Sequence, residues 1–196
     1  MKKVIMTLGV LLMMSASLIG CNKQSTVVKS NKDVVATLKS AKGFEADAGI
    51  TFLKDKQPNT IKAHQQGKIS GEYEMTIIEP KDLAGVKISY DNNQVVQTFP
   101  GQEKNIVAKP NNAQNEVLLT TYLKRLQSSS NISKEEATLD GKKAYVIALP
   151  IEGDYKYLSS EKLFIDSETN KIISLVIYDK DGNESIEVNY DNLKLN

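Results

Sequence analysis

The chain has 196 residues, of which 25 are Lys or Arg and 24 are Asp or Glu, for a formal charge of +1. With 40% hydrophobic residues it has the make-up of a globular protein, and its balanced charge offers no basic excess to attract nucleic acid. A single cysteine excludes an internal disulfide and a zinc-thiolate cluster.

Lys2 and Lys3 precede an apolar run, 4–14, that is too short for a comfortable membrane span. Small and polar residues then lead to Leu18-Ile19-Gly20-Cys21. This order predicts an export signal over 1–20, cut between Gly20 and Cys21. The tetrapeptide matches the lipobox of bacterial lipoproteins, so Cys21 is expected to carry a diacylglycerol, and two acyl chains suffice for stable anchoring. The localisation this implies is extracytoplasmic, lipid-anchored to the cell membrane. Without Lys2 and Lys3 the mature chain has 23 basic and 24 acidic residues, a formal −1. Residues 22–30 are polar enough for a short tether, which leaves 31–196 as one domain.

Asn31 can cap a first helix that runs to about Lys39, with Val34, Val35 and Leu38 on one stripe. The period then changes to two. Phe44, Ala46, Ala48, Ile50 and Phe52 alternate with Glu45, Asp47, Gly49 and Thr51, as in a strand with one buried face. Short strands are expected at 61–69, 73–78, 86–90, 95–99 and 106–108. Val117, Leu118, Tyr122, Leu123 and Leu126 make the stripe of a second helix over 113–128, stopped by Ser128-Ser129-Ser130-Asn131. Asp140-Gly141, between strands at 136–139 and 143–149, has the two residues a type I′ hairpin turn favours. Strands at 163–165, 172–178 and 186–190 complete the chain, and the one at 172–178 is apolar on both faces, as a strand covered on both sides must be. These elements predict a mostly β, α+β fold: one large curved antiparallel sheet with two helices packed on its concave face.

Four segments carry a family likeness: Leu163-Phe164-Ile165-Asp166, Thr169-Asn170-Lys171-Ile172, Val176 to Gly182, and Val188-Asn189-Tyr190 with Leu193. Together they resemble the closing three-strand meander of the LolA-like lipoprotein superfamily. Glu79 to Val86 resembles the segment before that family's middle strands, and the helix ahead of Phe44 sits where the family has its first. The resemblance covers most of the mature chain and rests on turns and strands, not on reactive residues. It implies the LolA/LppX-type open half-barrel. Size, lipobox and Lys/Asn/Ile-rich style are most similar to the clostridial spore-germination lipoproteins of the GerS type. That implies a partner, a cell-wall amidase of the CwlD type, which strips peptide from muramic acid in the spore cortex. The lipid anchor sets the chain apart from the transport branch.

Candidate chemistry is sparse. His64 is the only histidine and reads as a surface residue, because metal sites and catalytic triads need several partners. The acidic pairs Glu72/Glu74 and Glu135/Glu136 read as solvated strand faces. Asp179, Asp181, Asn183 and Glu184 lack the glycine and glutamate spacing of a calcium loop and read as a hairpin turn. No phosphate loop or nucleophile elbow is present, so no catalytic residue, metal ligand or cofactor is expected. Tyr155 and Tyr157 stand on an irregular segment, where they either anchor a partner or fold onto the sheet rim. Two functions follow. The first is a non-catalytic regulator of a spore-cortex N-acetylmuramoyl-L-alanine amidase. The alternative is a carrier or sensor of a lipid or other hydrophobic ligand, held in a cavity lined by Phe44, Ala46, Ala48, Ile50 and Phe52. An uncovered sheet edge would also admit a homodimer.

Overall fold

The computed structural model describes residues 33–54, 57–91, 93–110 and 115–196. The export signal, Gly20, Cys21, the tether and the expected cap Asn31 lie outside the described residues. Helix α1 (Val34–Ser40) is capped by Asp33, whose carboxylate accepts the Val35 N–H at 3.0 Å. Asp33 stands directly ahead of the buried pair Val34 and Leu38, so it meets the free N–H groups that Asn31 would miss.

Six strands follow as a meander, β1 (Gly43–Phe52), β2 (Asn59–Lys68), β3 (Tyr73–Glu79), β4 (Lys87–Tyr90), β5 (Val95–Thr98) and β6 (Ile106–Ala108). After α2 (Leu119–Ser128), a second meander runs through β7 (Lys134–Leu139), β8 (Lys142–Pro150), β9 (Ser160–Asp166), β10 (Ile172–Tyr178) and β11 (Glu184–Leu195). The strand order is β6-β5-β4-β3-β2-β1-β11-β10-β9-β8-β7. One 11-stranded antiparallel sheet thus has its first and last strands paired at the centre, Ala48 opposite Tyr190 and Ile50 opposite Val188, and β6 and β7 at its open edges. This is the LolA-like open half-barrel.

The inner face carries the core. Phe44, Ala46, Ala48 and Ile50 of β1 join Leu163, Leu175, Ile177 and Val188 beneath Leu119, Tyr122, Leu123 and Leu126 of α2. The Tyr122 hydroxyl donates to the Ile147 carbonyl at 3.0 Å, which satisfies a polar group that burial would otherwise penalise. Arg125 reaches from α2 to Glu161, a fully buried carboxylate on β9, and to Glu116 in the turn before the helix. The helices are tied together where Lys39 donates to the Ser129 carbonyl at 2.8 Å and Gln127 to that of Ala41 at 2.7 Å.

Several expected boundaries differ, β9 (160–166 against 163–165) among them, and three of the differences have a visible cause. Ala113 lies outside the described residues; Asn115 is helical, and helix α2 begins at Leu119 after a break at 116–118, across which Arg125 pairs with Glu116 and the Thr121 hydroxyl donates to the Asn115 carbonyl. Strand β2 starts two residues early, at Asn59, which pairs with Phe52. Strand β11 continues to Leu195 because Asn192, at φ 54°, absorbs an extra residue opposite Glu45 and Asp47 and restores the register. The Asp140-Gly141 turn has positive φ at both residues, 49° and 77°, as its hairpin requires.

Candidate binding cleft at the rim of the half-barrel

One rung of the inner face crosses four strands, since Phe44 pairs with Gly67, Gly67 with Tyr73, and Tyr73 with Tyr90. Three aromatic rings therefore share a row with one gap, at Gly67. A Cβ on Gly67 would lie 2.8 Å from the Thr120 methyl of α2 and 3.2 Å from both Phe44 and Tyr73. Glycine within a strand here marks the close approach of a helix.

Open clefts lie on the two faces of the sheet around this row, and Lys68, Tyr73 and Tyr90 border both. The larger, about 410 Å³, is lined by Phe44, Gln66, Gly67 and Ser89 besides the shared residues. The smaller, about 210 Å³, lies against the start of α2, along Asn115, Thr120, Thr121 and Lys124. Their acidic residues are already neutralised: Glu72 pairs with Lys68 at 2.5 Å, Glu74 with Lys87 at 2.6 Å, and Glu116 with Arg125. Lys124 is exposed and makes no ion pair among the described residues.

Burial pushes the phenols of Tyr73 and Tyr190 well above their usual range, so both stay neutral hydrogen-bonding groups. Their hydroxyls, with Oε1 of Gln65, are buried and have no hydrogen-bond partner among the described residues. Tyr190 also meets Phe44 edge-to-face, with centroids 6.4 Å apart.

On the outer face, His64 bonds Asp47 at 2.9 Å and stands 3.8 Å from Glu45. The bond from His64, and then one from Asn192 at 3.2 Å, hold the Asp47 carboxyl below the usual range. His64 is half-buried in this cluster. Asp179 accepts the backbone N–H groups of Asp181 and Asn183 and pairs with Lys54 at 2.8 Å. The segment expected to be a hairpin turn is therefore one closed by its own first residue.

Residues 1–196 match the model of a family described as sporulation protein YdcC-like. The chain belongs to that family. Among solved structures it is similar to one chain in the structure of the complex between the CwlD amidase from Clostridioides difficile and the GerS lipoprotein. The TM-score is 0.51 and the identity 18%, over 80% of this chain and 88% of that one. It is also similar to the LolA superfamily protein NE2245 from Nitrosomonas europaea, at a TM-score of 0.42 and 12% identity, over 83% of this chain and 92% of that one. No curated protein matches.

Of the residues singled out from this YdcC-like sequence, Phe44 lines the larger cleft, while Ala46, Ala48 and Ile50 are buried in the core and Phe52 is partly buried against it. Tyr155 is partly buried against the core beside Gly153, and Tyr157 is 47% exposed with Lys156 Nζ 4.9 Å from its ring. Both lie between β8 and β9, at the end of the strands opposite Phe44. Sequence reading missed Gly67, Tyr73 and Tyr90 as a group. The one available signal was a glycine inside a strand, because cross-strand neighbours 6 to 23 residues apart become a row only once the register is known.

Proposed function

We propose that this protein is a non-catalytic lipoprotein, held through Cys21 on the outer side of a cell membrane, that binds and regulates a spore-cortex N-acetylmuramoyl-L-alanine amidase. One observation carries the reading: a member of a sporulation family has the fold of a chain in an amidase–lipoprotein complex. The chemistry of the chain is consistent with it. The single histidine is engaged by carboxylates on the outer face, and no group of three potential ligands is arranged for a metal among the described residues. An anchored protein without chemistry of its own acts through what it holds, and preferential binding to the active form of an enzyme shifts that enzyme toward activity. Loss of the protein should leave the amidase present but inactive, with poor germination as the result.

Mixing the purified protein with a CwlD-type amidase from the same cells tests this. A complex on size-exclusion chromatography and a gain in amidase activity are expected; neither complex nor gain would overturn the reading. The alternative, a carrier of a hydrophobic ligand, draws support from the aromatic rung beside the core. Against it, the space between α2 and the centre of the sheet is filled by side chains with no exposure, Leu119, Leu123, Leu126 and Leu175 among them.

A further inference from the structure

We propose that the free edge of β6 pairs, antiparallel and about a two-fold axis through Val107, with β6 of a second copy of this chain. Ile106, Val107 and Ala108 are all exposed, and among the described residues β6 has a strand neighbour, β5, on one side only. An unpaired row of N–H and C=O groups flanked by apolar side chains is a template for another strand. The opposite edge of the sheet lacks this character, since β7 opens with the exposed Lys134, Glu135 and Glu136. That asymmetry selects the partner. Pairing of β6 with β7 of the next copy would repeat without end, whereas pairing of β6 with β6 closes on itself and stops at two.

The register supports the two-fold axis. Pairing centred on Val107 sets that residue against its own copy and Ile106 against Ala108, so an uncharged strand meets an uncharged strand. Val107 already pairs with Val96 on β5, and the dimer would join Val96, Val107 and their copies into one apolar row over four strands. Beyond the strand, Lys109 stands opposite Asn105 and Lys104 opposite Pro110, which leaves none of these cations facing another. The flank that gains a neighbour is the one with least cover, because β4, β5 and β6 hold no buried residue. So short an edge makes a weak contact in solution. The lipid-anchor reading supplies the rest: copies confined to one membrane face meet at a raised effective concentration. On the regulator reading, such a dimer presents the enzyme with two binding surfaces.

Cysteine cross-linking of the full chain in its own cells tests the inference, with the wild type giving the background from Cys21, the single natural cysteine. Across the two-fold axis the two Val107 Cα atoms would be about 5 Å apart, within reach of a disulfide. The two copies of residue 106 would be about 7–8 Å apart, beyond that reach. Mild oxidation of Val107→Cys should therefore give a dimer on non-reducing gels. Ile106→Cys and Ala108→Cys should each give little alone and a mixed dimer when produced together, while Glu135→Cys on β7 should stay monomeric. Sedimentation of the detergent-solubilised full chain should show a dimer that grows with concentration and is lost in Val107→Lys, whose fold is checked by circular dichroism. No dimer from Val107→Cys, an equal dimer from Glu135→Cys, or unchanged association of a folded Val107→Lys would each overturn the inference. So would protection of the Val107→Cys thiol by added amidase without self-cross-linking, which would give the edge to the enzyme. Membrane fractionation and amidase activity are read on the same cells, so a failed anchor or a failed regulator reading is seen separately from a failed dimer.

Discussion

Leu175 and Ile177 on β10 and Val95 and Val96 on β5 are all apolar, yet the first two are buried and the second two only half-buried. The difference runs through whole flanks. Leu163, Ile165, Leu175 and Ile177 on β9 and β10 have no exposure, whereas β4, β5 and β6 contain no buried residue, and Ile106 and Val107 at the edge are 55% and 60% exposed. Helix α2 makes its main contacts with β1, β2 and β8. Burial here is set by what crosses a strand more than by what the strand is made of. The two edges differ as well: β7 opens with Lys134, Glu135 and Glu136, which discourage pairing with another chain, while β6 offers Ile106, Val107 and Ala108.

The comparison can be broken first at its anchor. Arg125→Ala leaves Glu161 buried without its cation and should cost about 3–5 kcal/mol, read as a shift in the denaturant midpoint. Leu175→Ala should cost about 2–5 kcal/mol by emptying the covered flank, against less than about 1 kcal/mol for Val96→Ala on the uncovered one. Equal costs would show that the flanks do not differ in stability.

A pH titration sharpens the seam between the halves, where Lys54 after β1 pairs with Asp179 after β10. Lys54, and then the Asn183 N–H, lower the Asp179 pKa to about 2. Because the folded value is depressed, the stabilisation is fully present above the unfolded value of about 4 and lost as pH falls through about 2. The melting-temperature gap between the wild type and Lys54→Met should therefore be constant near neutrality and close between about pH 4 and pH 2. The smallest effect is expected at the edge, where Val107→Lys should change stability by no more than about 0.5 kcal/mol in thermal melts.

Much of this architecture was legible residue by residue. The two-residue alternation of β1, the doubly apolar run of β10 and the positive-φ turn at Asp140-Gly141 are local patterns, and local patterns survive without knowledge of the fold. Local signals failed where a distant partner decided the outcome. Strand β11 runs five residues past Tyr190 because its pairing with β1 accommodates a bulge at Asn192, and the second helical stripe is broken at 116–118, where Arg125 pairs with Glu116.

The expectation of a lipid anchor at Cys21 and the scarcity of reactive side chains came from the sequence alone, since each is a matter of residue type and spacing. The cleft belongs to the tertiary structure. Phe44, Gly67, Tyr73 and Tyr90 carry no common pattern along the chain, and they form one row only because three antiparallel pairings bring them level and Thr120 of α2 drops into the space where Gly67 has no side chain.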